Sequence, residues 1–248
     1  MKALGIDIGG SGIKGAPVDT ATGELLAERL RIETPAPSTP AAVLEAARQM
    51  VAHFKWKGPV GVGFPGVVKH GRIGEVGNLD NAWVGTNGAA LFRRATRCPV
   101  AIVNDADAAG LAEVRFGAGR GRKGAILLLT LGTGIGSALI SDGVLYPNSE
   151  LGPFPWRGRI SEKSLSGAAR KRRGLNLAEW GAALSPFLTT LVRVLSPDLI
   201  VIGGGVSKKG RKFLQHLKCG TRVVAAKLSN DAGIVGAAIA AEGLERKK

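Results

Sequence analysis

Apolar and polar positions at the start of the chain fall into short strand-like bursts separated by glycine. Ala3-Leu4-Gly5-Ile6-Asp7-Ile8 reads as a buried strand, Gly9-Gly10-Ser11-Gly12 as a turn, and Ile13 to Val18 as a second strand. A turn at Asp19 to Gly23 leads into a third, from Glu24 to Ile32, completing an antiparallel meander. The spacing then predicts a helix from Ala41 to Lys55, a strand at Pro59 to Phe64 stopped by Pro65-Gly66, a short helix at Ala89 to Ala95 and a buried strand at Val100 to Val103.

The same plan starts again. Ala106 to Phe116 reads as a helix of small residues, and Gly124 to Leu131 as an apolar strand broken by Gly132-Thr133-Gly134. The chain returns along Ile135 to Ile140 and turns at Asp142-Gly143. Two strand–glycine-turn–strand hairpins, one near the start of each half, point to an internal duplication. Pro147 to Arg173 is poorly patterned. A long helix follows at Leu177 to Leu195, which Pro186 is expected to kink or divide. A strand at Leu199 to Ile202 runs into Gly203-Gly204-Gly205, with a helix expected after it, and Ala232 to Leu244 reads as a closing helix.

Composition adds two constraints. The 248 residues include 37 glycines, well above the typical ~7%. The formal net charge is +15, and fifteen Lys or Arg face three acids between Arg157 and Lys227. Two readings stay open: a solvated basic face, or a surface that holds a polyanion by charge. No apolar run approaches the ~20 residues of a membrane span. The amino terminus reaches Asp7 too early for a signal peptide, and Cys98 and Cys219 form neither a CxxC motif nor a disulfide framework. The expectation is a cytoplasmic protein with no membrane and no nucleic-acid partner.

Five segments carry candidate chemistry. In Asp7 to Lys14, the turn Gly9, Gly10, Ser11, Gly12 offers backbone N–H groups to an anion. Asp7 is placed to hold Mg²⁺ through water, and Lys14 to add a positive charge. Gly132, Thr133 and Gly134 form a second such turn. Asp105, where a strand gives way to a helix, is a candidate general base, with Asp107 a competitor suited to capping. Glu150, in Asn148 to Gly152, suits paired hydrogen bonds to sugar hydroxyls. Gly204, Gly205 and Lys208 follow the last strand, where a nucleotide or phosphate chain would sit. Each segment alone also reads as an ordinary turn or helix cap.

In this order the segments resemble the actin-like ATPase superfamily, in particular the ROK family of sugar kinases and repressors and its bacterial polyphosphate glucokinase branch. The resemblance rests on Asp7 to Lys14, Phe64-Pro65-Gly66, Asn104 to Gly110, Leu131 to Gly136, Glu150-Leu151-Gly152 and the glycines from Gly203. It implies an α/β, ribonuclease-H-like fold with two domains around a cleft. Their boundaries would be 1–104 and 105–231, with a closing helix, 232–248, completing the first.

The resemblance further implies phosphoryl transfer to the 6-hydroxyl of glucose, with mannose a second candidate. The donor would be polyphosphate or ATP, with Mg²⁺, in a homodimer. Asp105 would be the base, with Asn104, Glu150 and Glu162 on sugar hydroxyls. Lys208, Lys209, Arg211, Lys212 and the run Arg170 to Arg173 would be candidates for a donor track. One departure stands out: Pro153 occupies the place of the family's usual His, which argues against zinc and for a reshaped loop. Two alternatives are a relative that binds sugar or polyanion without kinase activity, and a sugar-sensing regulator. The regulator is disfavoured because the chain opens on the first strand.

Overall fold

The computed structural model describes residues 1–244, and the last four positions of the expected closing helix lie outside them. The chain divides into two compact units. Met1–Ala112 joins the segment from Asp231 onward to form the first, and Glu113–Asn230 forms the second.

The first unit contains β1 (Lys2–Ile8), β2 (Ile13–Asp19), β3 (Glu24–Leu25), β4 (Leu30–Ile32), α1 (Pro40–His53), β5 (Val60–Phe64), β6 (Val68–Lys69), β7 (Arg72–Ile73), α2 (Gly88–Thr96) and β8 (Val100–Asn104). The start of α3 (Asp105–Arg115) also belongs to it. The main sheet runs β3-β2-β1-β5-β8, and β4 also pairs with β2. Strands β1 and β2 are antiparallel, whereas β1, β5 and β8 are parallel. The single third strand expected from Glu24 to Ile32 is two short ones. Leu25-Leu26 breaks the alternation, and the chain bends before Leu30 resumes pairing with Gly15. Ile6, Ile8, Val62 and Phe64 form the core with Val43 and Met50 of α1, and Trp83 stacks on Phe92 at 5.7 Å.

The second unit contains β9 (Ala125–Leu131), β10 (Ile135–Ser141), β11 (Val144–Tyr146), β12 (Pro155–Trp156), β13 (Arg159–Ile160), α4 (Ser161–Leu165), α5 (Gly167–Arg172), α6 (Leu177–Leu195), β14 (Leu199–Gly203), α7 (Arg211–Leu214) and β15 (Arg222–Ala225). Its sheet runs β11-β10-β9-β14-β15. This is the order of the first sheet: an antiparallel meander of three, then two strands parallel to the first. The repeated plan in the sequence is therefore a repeated topology. Pro186 does not divide α6, which is continuous over 19 residues. Trp180, Leu184, Phe187, Leu188 and Leu191 bury one face of the helix, and that burial outweighs the one backbone donor that proline removes. The boundary between units falls within α3 rather than ahead of it.

The last helix, Ala232–Ala240, returns to the first unit and lies directly on its sheet. A Cβ on Gly61 would sit 1.7 Å from the carbonyl oxygen of Ala237, and one on Gly5 would sit 2.0 Å from that of Ile234. On the helix itself, a Cβ on Gly236 would sit 1.6 Å from the carbonyl oxygen of Ala108 in α3. Backbone meets backbone at all three places, so only glycine fits. Gly61→Ala is expected to destabilise the protein by more than about 3 kcal/mol, since overpacking against backbone has no side chain to displace. Gly63→Ala, whose added Cβ would find its nearest neighbours at an ordinary 3.6 Å, should stay within about 1 kcal/mol of the parent. Denaturant melts of the two variants check this, and equal losses would contradict it.

Candidate active site

In the first unit, the turn from β1 to β2 is closed by the N–H of Gly9 donating to the carbonyl of Gly12 at 3.1 Å. Two side chains brace it from the β4 side. Thr34 donates its hydroxyl to the carbonyl of Gly9, and Arg31 donates Nη2 to the carbonyl of Ser11 at 2.7 Å. Strand register places Asp7 opposite Lys14, with Lys14 Nζ 3.8 Å from the Asp7 carboxylate. Asp7 also packs against the closing helix, where a Cβ on Gly233 would lie 2.6 Å from its carboxyl carbon. Burial raises the Asp7 pKa above the usual carboxylate value, and Lys14 opposes that shift.

At the same end of this sheet, two strands along from β1, Asn104 closes β8 and caps α3. Its Oδ1 accepts from the N–H groups of Ala106 at 2.8 Å and Asp107 at 3.0 Å, and its Nδ2 donates to the carbonyl of Gly66 at 3.1 Å. The cap is thus Asn104 and not Asp105. Asp105 is the first residue of α3, half-buried, with Oδ1 2.8 Å from the N–H of Ala106. Asp107 is buried within the same first turn.

In the second unit, the N–H of Gly132 donates to the carbonyl of Gly134 at 3.1 Å, leaving Thr133 exposed at the tip. Glu162 reaches this turn: its Oε2 accepts from the N–H of Ile135 at 3.3 Å and lies where a Cβ on Gly134 would be 2.4 Å away. Gly152 flanks the same carboxylate, and its carbonyl accepts from the N–H of Glu162 at 3.1 Å. The segment around Glu150 is pinned on both sides. Ser137 donates to the carbonyl of Ser149 and accepts from the N–H of Leu151, and Ser161 donates to the carbonyls of Leu151 and Gly152. Gly204, at φ 78°, approaches the backbone of Leu131 so closely that a Cβ would be 2.9 Å from it. The second hairpin, Glu162, the Glu150 segment and the last glycine cluster are therefore neighbours.

Several expectations change here. The helix foreseen after Gly205 is a 3₁₀ turn, Gly205–Lys209, followed by the four-residue α7, with Lys208 exposed. The loop after Pro153 forms the β12–β13 hairpin, with Phe154 and Trp156 6.4 and 5.5 Å from Phe187 of α6. Three members of the run Arg170 to Arg173 bond to nearby backbone. Arg170 donates to the carbonyl of Leu175 and lies over Trp180, while Arg172 and Arg173 donate to the carbonyls of Lys163 and Ser164. The bracing residues Thr34, Ser137 and Ser161 were not foreseen, because their partners lie 25, 12 and 10 residues away in sequence.

No group of three or more His, Cys, Asp or Glu side chains among the described residues is arranged to hold a metal. Asp7 offers a half-buried carboxylate beside a turn of backbone N–H groups. That fits Mg²⁺, which binds through one or two carboxylates, waters and substrate phosphates. Asp7 would hold the ion there, and the ion would neutralise charge on the phosphates.

The ROK family model matches residues 3–149 of the chain. The chain belongs to the ROK family. It is 44% identical over 242 residues to the polyphosphate glucokinase of Mycobacterium tuberculosis (strain CDC 1551 / Oshkosh), covering 96% of this chain and 90% of that protein. Among solved structures, it matches an inorganic polyphosphate/ATP-glucomannokinase from Arthrobacter sp. strain KM with a TM-score of 0.94 and 46% identity, covering 98% and 99% of the two chains. A ROK family glucokinase from Streptomyces griseus, in complex with glucose and AMPPNP, matches with a TM-score of 0.83 and 25% identity, covering 98% and 100%. The actin-like fold of these ROK proteins is the fold of this chain.

The raised pKa of Asp7 has a consequence for stability. A carboxyl whose folded pKa lies above its unfolded value contributes fully below the unfolded pKa, and that contribution is lost as pH rises through the folded pKa. The ionised form therefore costs stability at neutral pH. Asp7→Asn is expected to raise the Tm at pH 7, with a gain that shrinks toward pH 3.5. Melts across this range check it, and a gain independent of pH would contradict it.

Proposed function

We propose that the chain transfers a phosphoryl group from inorganic polyphosphate, and from ATP as a second donor, to the 6-hydroxyl of glucose. The observation that carries the reading is the position of Asp105, the half-buried first residue of α3, directly after the Asn104 that ends β8 and caps the helix. Family membership and 44% identity to a polyphosphate glucokinase over nearly the whole chain support the choice of acceptor and donor.

In the proposed reaction Asp105 takes the proton of the sugar hydroxyl as its oxygen attacks phosphorus. The new O–P bond forms as the bond to the leaving phosphate breaks, giving glucose 6-phosphate and either a polyphosphate shorter by one unit or ADP. Positioning and charge stabilisation carry most of such a transfer. The turn Gly9 to Gly12 supplies N–H donors, Lys14 a cation and Asp7 the carboxylate for Mg²⁺. Asn104, Glu150 and Glu162 are proposed ligands of sugar hydroxyls, and Thr133, Gly204 and Lys208 ligands of the donor. Mannose is a second acceptor on this reading, supported by the Arthrobacter glucomannokinase.

We place the enzyme in the cytoplasm as a homodimer. Buried free thiols at Cys98 and Cys219 support the compartment, and no helix among the described residues is long and apolar enough to cross a membrane. The homodimer rests on family resemblance alone.

Purified protein with glucose, Mg²⁺ and either donor should form glucose 6-phosphate, and Asp105→Asn should lower kcat by about 10²–10⁴-fold while glucose binding persists. Absence of product with both donors, or full activity in the variant, would overturn the reading.

A further inference from the structure

We propose that Arg31 is a ligand of the donor's phosphate chain, acting beside the turn Gly9 to Gly12. The inference rests on the proposed kinase reading and adds a residue to its donor site.

The placement follows from strand pairing. In β4, Leu30, Arg31 and Ile32 pair with Gly15, Lys14 and Ile13 of β2. Directly opposed residues of an antiparallel pair project to the same face. Arg31 therefore shares a face with Lys14, which is itself opposite Asp7 of β1. Three charged side chains thus cross three neighbouring strands in one row, at the sheet end that carries the glycine turn. Ile13 and Ile32 fall on the other face.

Within this row the two cations differ. Lys14 is matched by Asp7 at 3.8 Å. Arg31 takes part in none of the ion pairs among the described residues. It is exposed, yet its head group is held in place. Nη2 donates to the carbonyl of Ser11, and the guanidinium lies where a Cβ on Gly12 would be 2.8 Å from Nε and 2.9 Å from Nη2. A guanidinium has five N–H donors in a rigid fork, so this one bond leaves most of its capacity directed elsewhere.

The turn is built to match. Its carbonyls at Gly9, Ser11 and Gly12 accept from Thr34, Arg31 and Gly9. The backbone N–H groups of Gly10 and Ser11 donate to no acceptor among the described residues. Occupied carbonyls, open N–H groups and an unmatched planar cation suit a ligand with several phosphate oxygens. A bare structural brace would need no charge: Thr34 holds the same turn with a neutral hydroxyl.

Binding of inorganic tripolyphosphate to the whole protein, measured by calorimetry at several KCl concentrations, tests this apart from catalysis. Arg31→Gln, which can still donate to Ser11, is expected to bind about tenfold or more weakly. The slope of log K against log salt should fall by about one, as for a lost phosphate contact. Arg31→Lys should keep the slope and lose affinity, and Thr34→Ala should keep the slope. Unchanged affinity and slope in Arg31→Gln, or an equal loss of slope in Thr34→Ala, would overturn the inference. If the parent makes no glucose 6-phosphate but its tripolyphosphate binding depends on Arg31, the kinase reading fails and the phosphate ligand stands. If the parent is active and Arg31→Gln matches it in donor KM and in binding, the reverse holds.

Discussion

The closing helix lies with its carbonyl oxygens against the bare Cα atoms of Gly5 and Gly61, and with Gly236 against the backbone of α3. Three missing methyl groups let one helix touch both a sheet and another helix at backbone distance. The candidate site of the first unit depends on this contact. The same helix brings Gly233 against Asp7 and so sets how deeply that carboxylate is buried. Through Gly236 and Ala108 it also fixes α3, whose first residue is Asp105. Close-packed interiors transmit strain rather than absorb it, so enlarging one of these glycines would displace the proposed base and the proposed phosphate-binding groups together.

Farther along α3, a second constraint acts on the other unit. Glu113 is buried, and its carboxylate accepts from the N–H groups of Ala118, Lys227 and Leu228 at 2.7, 3.1 and 2.7 Å. These donors lie on the two stretches of chain closest to where it passes between units. A buried carboxylate is tolerable because three backbone donors satisfy it, and removing it would leave three part-buried donors without this partner. The helix that begins with the proposed base therefore carries, two turns later, the residue that fixes where the second unit begins and ends.

The sequence made the strands and their glycine turns legible because both signals are local. A short apolar run beside a glycine turn reads the same in isolation as in the fold, which is why β1, β2, β9, β10 and β14 are recognisable. Where contact depends on distant partners, the reading weakened. The broken strand before Leu30, the β12–β13 hairpin anchored on Phe187 and strand β15 depend on tertiary pairing. Site residues divide the same way. Asp105 and Asn104 were visible as a pair, but which of them caps α3 is decided by side-chain geometry. The basic run Arg170 to Arg173 also carries local bonds that its charge count does not reveal, since three of its members donate to backbone carbonyls.

Duplicated topology has not produced duplicated chemistry. Asp7 and Lys14 are paired across the first hairpin, and the positions that correspond in the second are Thr130 and Gly136, also register partners. The first turn thus has a carboxylate for a cation and a lysine, with Arg31 beside them. The second has neither charge in its strands, and the Glu162 carboxylate lies against Gly134 instead. A carboxylate at contact distance disfavours an unscreened phosphate at that end of the turn and favours hydroxyl donors. Charge alone therefore directs a polyanionic chain to the first hairpin. The second is better suited, at Gly134, to a neutral partner rich in hydroxyls, and Thr133 at its exposed tip is the part of it that can still meet a phosphate.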